Sequence, residues 1–199
     1  MVHLDIKPGN VLFSFDTDDE ESEGIQVSRV LPRIGKGSSN LLQNMRFKIG
    51  DLGHVTSIKS DSEPTEGDCR YMAPEFMQMD SPEKELLPKA DMFSTGLTVF
   101  EAASLMHLPK NSEENSIYEQ LKNGILPQLS RYSVKFHQLL SQLVNKVPSK
   151  RLSSAKLVMN NMINPLVNKS KSQLKRDLYK ANLRVAELEE RLRVEKVDS

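Results

Sequence analysis

The chain has 199 residues with 27 basic and 27 acidic side chains, so its formal net charge is zero and indicates neither a nucleic-acid nor a membrane partner. Its one cysteine, Cys69, excludes an internal disulfide framework and is typical of a reducing compartment. The most apolar stretch, 92–108, contains Glu101 and His107, and no charged-then-apolar leader opens the chain, so we expect a soluble, intracellular protein without a transmembrane helix or signal peptide.

A motif suited to phosphoryl transfer lies at the start of the chain, in the sequence His3-Leu4-Asp5-Ile6-Lys7-Pro8-Gly9-Asn10, and Asp51-Leu52-Gly53 follows downstream. Phosphoryl transfer requires a carboxylate that orients and deprotonates a hydroxyl, and oxygen ligands that hold Mg²⁺ against the phosphates. Asp5 fits the first role, Asn10 and Asp51 fit the second, and Lys7 is placed to offset charge on the transferring group. The alternative is an ordinary Pro-Gly turn, but both halves of the motif occur, and in the order that the chemistry needs.

Two short strands are predicted next, at 11–15 and 45–49, and they form a hairpin. The segment between them, 16–44, is rich in acidic residues, Gly, Ser and Asn. This composition predicts a flexible insertion, with a dedicated docking element as the alternative.

The rest of the chain predicts helices. Residues 91–103 are apolar nearly all round, which predicts a buried central helix with Asp91 as a candidate N-cap. Further helices are predicted at 116–122, ending at the C-cap signal Asn123-Gly124, at 133–146, and at 153–163, where Leu157, Val158 and Met162 are expected in the core.

After Pro165 the pattern changes to a heptad repeat in which Leu174, Leu178, Ala181, Val185, Leu188 and Leu192 recur at spacings of four and three. This predicts an amphipathic helical tail at 168–199. Self-association of 172–195 as a coiled coil is one interpretation. A single helix that packs on the preceding domain or frays in solvent is the other.

These motifs resemble the C-terminal lobe of a eukaryotic protein kinase, most closely the Wee/Myt kinases that inhibit mitotic cyclin-dependent kinases. The resemblance is carried by residues 3–8, 47–56, 66–68, 70–75 and 87–91. It implies a mainly α (α+β) fold with a small β-hairpin, a kinase-like lobe at 1–167, and ATP and Mg²⁺ as cofactors. It also implies a tyrosine of a cyclin-dependent kinase as substrate, and a location in the nucleus or cytoplasm.

The resemblance assigns supporting roles as well. The Asp91 carboxylate is expected to accept hydrogen bonds from the backbone of the loop that carries Asp5. Glu75, at the end of the segment 51–75, is expected to pair with Arg151, since guanidinium presents two parallel donors to a carboxylate. The alternative for Arg151 is an exposed surface charge.

Two departures from the family pattern change the expectations. Leu4 stands where most protein kinases have Arg, so activity is expected without a phosphate on the segment 51–75. The sequence before Asp5 also has no Gly-rich lid, strand Lys, partner Glu or hinge, so we expect the N-terminal lobe to be absent and the chain as written to be inactive. The competing function is a catalytically inactive lobe that acts as a binding module.

Overall fold

In the computed structural model, the described residues are 1–15, 45–60, 65, 67–78, 83–111 and 117–197. They belong to two compact units, Met1–Ser153 and Ser154–Ser199. The first contains strands β1 (Val11–Phe15) and β2 (Met45–Ile49) and helices α1 (Pro74–Gln78), α2 (Leu87–Ser104), α3 (Ile117–Lys122) and α4 (Val134–Leu143). The second contains α5 (Ser154–Val158) and α6 (Lys171–Val197). The mainly helical class with a β-hairpin is therefore confirmed, and no helix in the described part is long and apolar enough to cross a membrane.

Strands β1 and β2 form a two-stranded antiparallel sheet in which Val11 lies opposite Ile49. Both strands are confirmed where the sequence predicts them. The pairing continues one step past the strands, because the Gly50 amide donates to the Asn10 carbonyl at 2.8 Å. The predicted flexible insertion, 16–44, lies outside the described residues.

Helix α2 is the centre of the first unit. Phe93, Leu97 and Phe100 are fully buried in it. It begins at Leu87, with Pro88 in its first turn, a position that proline favours because its fixed φ suits a helix start. Asp91 therefore lies one turn inside the helix, and its prediction as the N-cap is wrong.

Helix α4 packs closely on α2 at Gly96. A Cβ at Gly96 would lie 2.6 Å from Cγ1 of Val144 and 2.9 Å from Cβ of Leu143, so only glycine fits this approach without a shift. The helix is shorter than predicted and begins after Ser133, whose hydroxyl accepts from the Phe136 amide at 3.2 Å. Helix α3 ends as predicted, at Gly124 with φ 76°.

The second unit differs from the sequence expectation at its start. Helix α5 covers five residues, Ser154–Val158, instead of the predicted 153–163. Val158 and Met162 are 58% and 38% exposed, so their prediction as core residues is wrong. Helix α6 confirms a helical tail as one continuous helix of 27 residues. The predicted domain boundary after residue 167 stays a prediction.

Candidate active site

Asp5 is held by hydrogen bonds to both of its carboxylate oxygens. Lys7 Nζ and Asn10 Nδ2 donate to Oδ2 at 2.7 and 2.9 Å, and the Asp68 amide donates to Oδ1 at 3.0 Å. Burial acts to raise the pKa of Asp5, but the donors, led by Lys7, outweigh it and hold the pKa below its usual value. The structure therefore brings Asp5, Lys7 and Asn10 together and keeps Asp5 ionised near neutral pH.

Asp91 anchors the backbone of this loop. Its two carboxylate oxygens accept from the amides of His3 at 2.7 Å and Leu4 at 2.8 Å. Leu4 has φ 64°, in the left-handed region that a leucine rarely adopts, so the turn persists only because its surroundings hold it. Thr98, two turns further along α2 on the same side, donates its hydroxyl to the Ile6 carbonyl at 3.3 Å. The central helix thus fixes the loop at two points.

His3 connects the loop to the turn that carries Asp51. Its Nδ1 accepts from the Asp5 amide at 3.3 Å, which places the ring proton on Nε2, and Nε2 then donates to the Gly50 carbonyl at 3.1 Å. Because Gly50 also pairs with Asn10 at the end of the hairpin, Asn10 and Asp51 come close to each other although they are 41 positions apart.

Asn10 and Asp51 present the kind of oxygen ligands that Mg²⁺ binds. The amide nitrogen of Asn10 is used by Asp5, to whose carbonyl it also donates at 2.8 Å, so the carbonyl oxygen of its side chain is the group left for a metal. Asp51 is exposed, and its carboxylate accepts from the Gly53 amide at 3.4 Å. In the described part of the chain there is no group of three or more His, Cys, Asp or Glu suited to a metal. This set fits a Mg²⁺ ion that takes its other ligands from phosphates and water.

The segment around Gly67 contacts Asp5 directly, which the sequence analysis did not predict. A Cβ at Gly67 would lie 2.4 Å from the Leu4 carbonyl oxygen and 2.9 Å from Oδ1 of Asp5. The following residue, Asp68, donates its amide to Asp5 and pairs its carboxylate with Arg70, whose Nε lies 3.0 Å from Oδ1 and whose Nη2 lies 2.6 Å from Oδ2. The signal was a Glu-Gly-Asp-x-Arg motif, residues 66–70, in a polar segment. Glu66, the first residue of that motif, lies outside the described residues.

Glu75 and Arg151 form a buried ion pair. Nη1 and Nη2 of Arg151 donate to the two carboxylate oxygens of Glu75 at 2.5 and 2.7 Å. The remaining guanidinium donors reach the backbone carbonyls of Asn145, Lys89 and Lys146, and the guanidinium lies over the Phe93 ring at 4.7 Å. Arg151 is buried, so the alternative of an exposed surface charge is wrong.

Lys122, at the end of α3, is a second buried cation that the sequence analysis missed. Its ammonium donates to the backbone carbonyls of Cys69, Arg70 and Met72 at 2.8, 3.1 and 2.6 Å. Burial lowers the pKa of Lys122 to about 8, although Cys69 and Asp68 act in the opposite direction. No pattern in the sequence distinguished this lysine from the exposed ones.

The comparisons with known proteins agree with this geometry. The model of the protein kinase domain matches residues 1–163. The Wee1-like protein kinase of Drosophila melanogaster is 35% identical over 183 residues, which are 87% of this chain and 28% of that protein. Wee1-like protein kinase 2 of Homo sapiens is 34% identical over 194 residues, 97% of this chain and 32% of that protein. The chain spans about a third of the length of these curated relatives, and the predicted resemblance to Wee-type kinases is confirmed. The chain belongs to the protein kinase domain family.

Proposed function

We propose that this lobe transfers the γ-phosphate of ATP to a protein hydroxyl, with a tyrosine of a cyclin-dependent kinase as the acceptor. In this role it would restrain entry into mitosis, in the nucleus or cytoplasm. The observation that carries the proposal is the ionised Asp5 carboxylate, held between Lys7, Asn10 and the Asp68 amide on a loop that Asp91 anchors. The choice of tyrosine and of a cyclin-dependent kinase rests on the similarity to Wee1-like kinases.

Each side chain of the site has a role in this proposal. Asp5 orients the incoming hydroxyl and accepts its proton, while the ammonium of Lys7 lies beside it and offsets negative charge on the transferring group. Asn10 and Asp51 would hold Mg²⁺, and Mg·ATP supplies the phosphoryl group when it is bound. Asp91 and the Glu75–Arg151 pair are positioning residues, since they touch the backbone or each other instead of the reacting atoms.

The test uses a complete kinase that carries this lobe, made by joining residues 1–163 to the N-terminal lobe of a Wee1-like relative. In that chimera Asp5→Asn should lower kcat by about 10²–10⁴-fold, because a positioned base is lost, while Mg·ATP affinity stays close to wild type. Asp51→Ala should instead weaken Mg·ATP binding, because it removes a metal ligand. Steady-state kinetics and nucleotide titration measure the two effects separately.

Three outcomes would contradict parts of the proposal. A folded chimera that binds Mg·ATP and transfers no phosphate would favour the inactive binding module. A kcat of Asp5→Asn close to the wild-type value would contradict the role of Asp5 as the group that accepts the proton of the hydroxyl. Phosphate on serine or threonine, with none on tyrosine of a cyclin-dependent kinase substrate, would overturn the proposed acceptor. Circular dichroism of each variant checks that it is folded.

A further inference from the structure

Helix α6 carries an apolar stripe that has no partner in the described part of its own unit. The stripe consists of six residues at heptad spacing: Leu174, Leu178, Ala181, Val185, Leu188 and Leu192. All six are exposed, with Leu178 at 62% and Leu192 at 57%. Most of the stability of a helix in a protein comes from packing of its apolar face, so burial of the stripe is what would stabilise α6.

We propose that α6 binds α6 of a second copy of this chain, with the two helices antiparallel. The stripe reads almost the same in both directions along the helix. An antiparallel register places Leu174 opposite Leu192 of the second copy, and Leu178 opposite its Leu188. The two remaining positions, Ala181 and Val185, then face each other across the centre of the interface.

Packing at the centre of the stripe favours this orientation over the parallel one. A parallel pair would place Ala181 opposite Ala181 of the second copy and leave a gap there, and gaps in a packed core reduce stability. The antiparallel pair places the larger Val185 against each Ala181. It also separates the two copies of Lys171, which a parallel pair would bring face to face in the line of the stripe.

The charges that flank the stripe favour the same orientation. In the antiparallel register Lys175 comes beside Glu189 of the second copy, and Asp177 comes beside its Arg191, and symmetry doubles both pairs. The parallel register offers one such opposite-charge combination, Arg184 with Glu189. Flanking charges are known to set partner orientation in coiled coils.

Contacts within one chain decide which flanking pair makes the clearest test. Asp177 already binds Lys169 of its own chain at 2.7 Å, so a change there would also affect the monomer. The antiparallel register also brings Arg184 near Arg184 of the second copy. Glu187 binds Arg184 at 2.9 Å within each chain and offsets the repulsion between these two positive charges. Lys175 and Glu189 are therefore the pair to exchange.

The first experiment measures association of the 199-residue chain by sedimentation velocity across the micromolar range. We expect a monomer–dimer equilibrium that Leu178→Glu shifts to monomer. Leu183→Glu is the matched control, because Leu183 is exposed on the opposite side of the helix. Monomer at every concentration would overturn the proposal and favour a helix that packs on its own chain or stays single in solvent. An equal effect of Leu178→Glu and Leu183→Glu would also overturn it.

The second experiment determines orientation by charge reversal. Lys175→Glu and Glu189→Lys should each weaken the dimer by about tenfold, because two symmetric pairs become repulsive, and the double variant should restore it. Lys180→Glu makes the same charge change away from the interface and should have little effect. A parallel dimer would respond to Glu189→Lys and not to Lys175→Glu, and the double variant would stay weak. That result would overturn the antiparallel proposal, and neither experiment depends on kinase activity.

Discussion

At the scale of single residues, the site depends on glycine at position 67 as much as on its charged side chains. The backbone at Gly67 passes so close to Leu4 and Asp5 that a Cβ has no room. This approach is what allows the Asp68 amide to reach the Asp5 carboxylate. A backbone donor to a charged acceptor is fixed in direction and makes a strong hydrogen bond.

Gly67→Ala should therefore push the segment away from Asp5 and weaken the Asp68–Asp5 hydrogen bond. Because a bond to a charged group contributes about 1.5–3 kcal/mol, kcat of the chimeric kinase should fall about tenfold or more while Mg·ATP affinity is retained. Gly9→Ala, in the loop that carries Asp5, is the control, since a Cβ at Gly9 meets nothing within 4 Å. Equal kcat values for the two variants would show that the close approach has no role in turnover.

At the scale of elements, helix α3 holds the segment that follows Gly67. Lys122 at its end binds three carbonyls of residues 69–72 and lies over the rings of Tyr118 and Phe93, at 5.2 and 5.8 Å. A buried ammonium is costly to desolvate, and these carbonyls and rings compensate part of that cost.

The lowered pKa of Lys122 predicts a pH dependence of folding. Its pKa is about 8 in the folded chain and about 10.4 in an unfolded one. Since the unfolded chain then holds more protons between these values, the free energy of unfolding should rise with pH above 8. The expected gain from pH 7 to pH 9 is on the order of 1 kcal/mol.

Urea denaturation at both pH values measures this effect. Lys122→Met should abolish the gain, whereas Lys135→Met, at an exposed lysine of α4, should keep it. A wild-type chain and a Lys122→Met chain with the same pH dependence would contradict the assignment.

At the scale of the whole molecule, the Glu75–Arg151 pair joins parts of the first unit that are 76 positions apart. Its two partners are buried, and the guanidinium is satisfied on every side. Removal of one partner of such a pair leaves an uncompensated buried charge, which costs more than the pair itself contributes.

Glu75→Ala should lower the free energy of unfolding by about 3–5 kcal/mol for this reason. Glu187→Ala is the matched control, because it removes an exposed Glu–Arg pair in α6 and should cost less than about 1 kcal/mol. Denaturant midpoints measure both. A double variant, Glu75→Met with Arg151→Met, should recover part of the loss. A loss of unfolding free energy in the double variant equal to the sum of the losses in Glu75→Met and Arg151→Met alone would contradict the argument.

The sequence by itself determined the local features of this protein. Short runs rich in apolar residues predicted β1 and β2, a longer apolar run predicted α2, and Asn123-Gly124 predicted the end of α3. The order of Asp5, Asn10 and Asp51 pointed to phosphoryl transfer, because that chemistry demands those groups on nearby turns. These features depend on neighbours in the chain, and neighbours are visible in a sequence.

The resemblance implied two distant pairings, Asp91 with the loop of Asp5 and Glu75 with Arg151. Only the tertiary structure decided which other distant groups meet. The contacts of Gly67 with Leu4 and of Lys122 with residues 69–72 depend on close approach between segments far apart in the chain, and local composition does not encode such distances. The start of α2 was misplaced for the same reason. Asp91 has the chemistry of an N-cap, but its carboxylate is used by the backbone amides of His3 and Leu4, 88 and 87 positions away. A polar side chain satisfies whichever donors the fold brings to it, so its role is settled by packing.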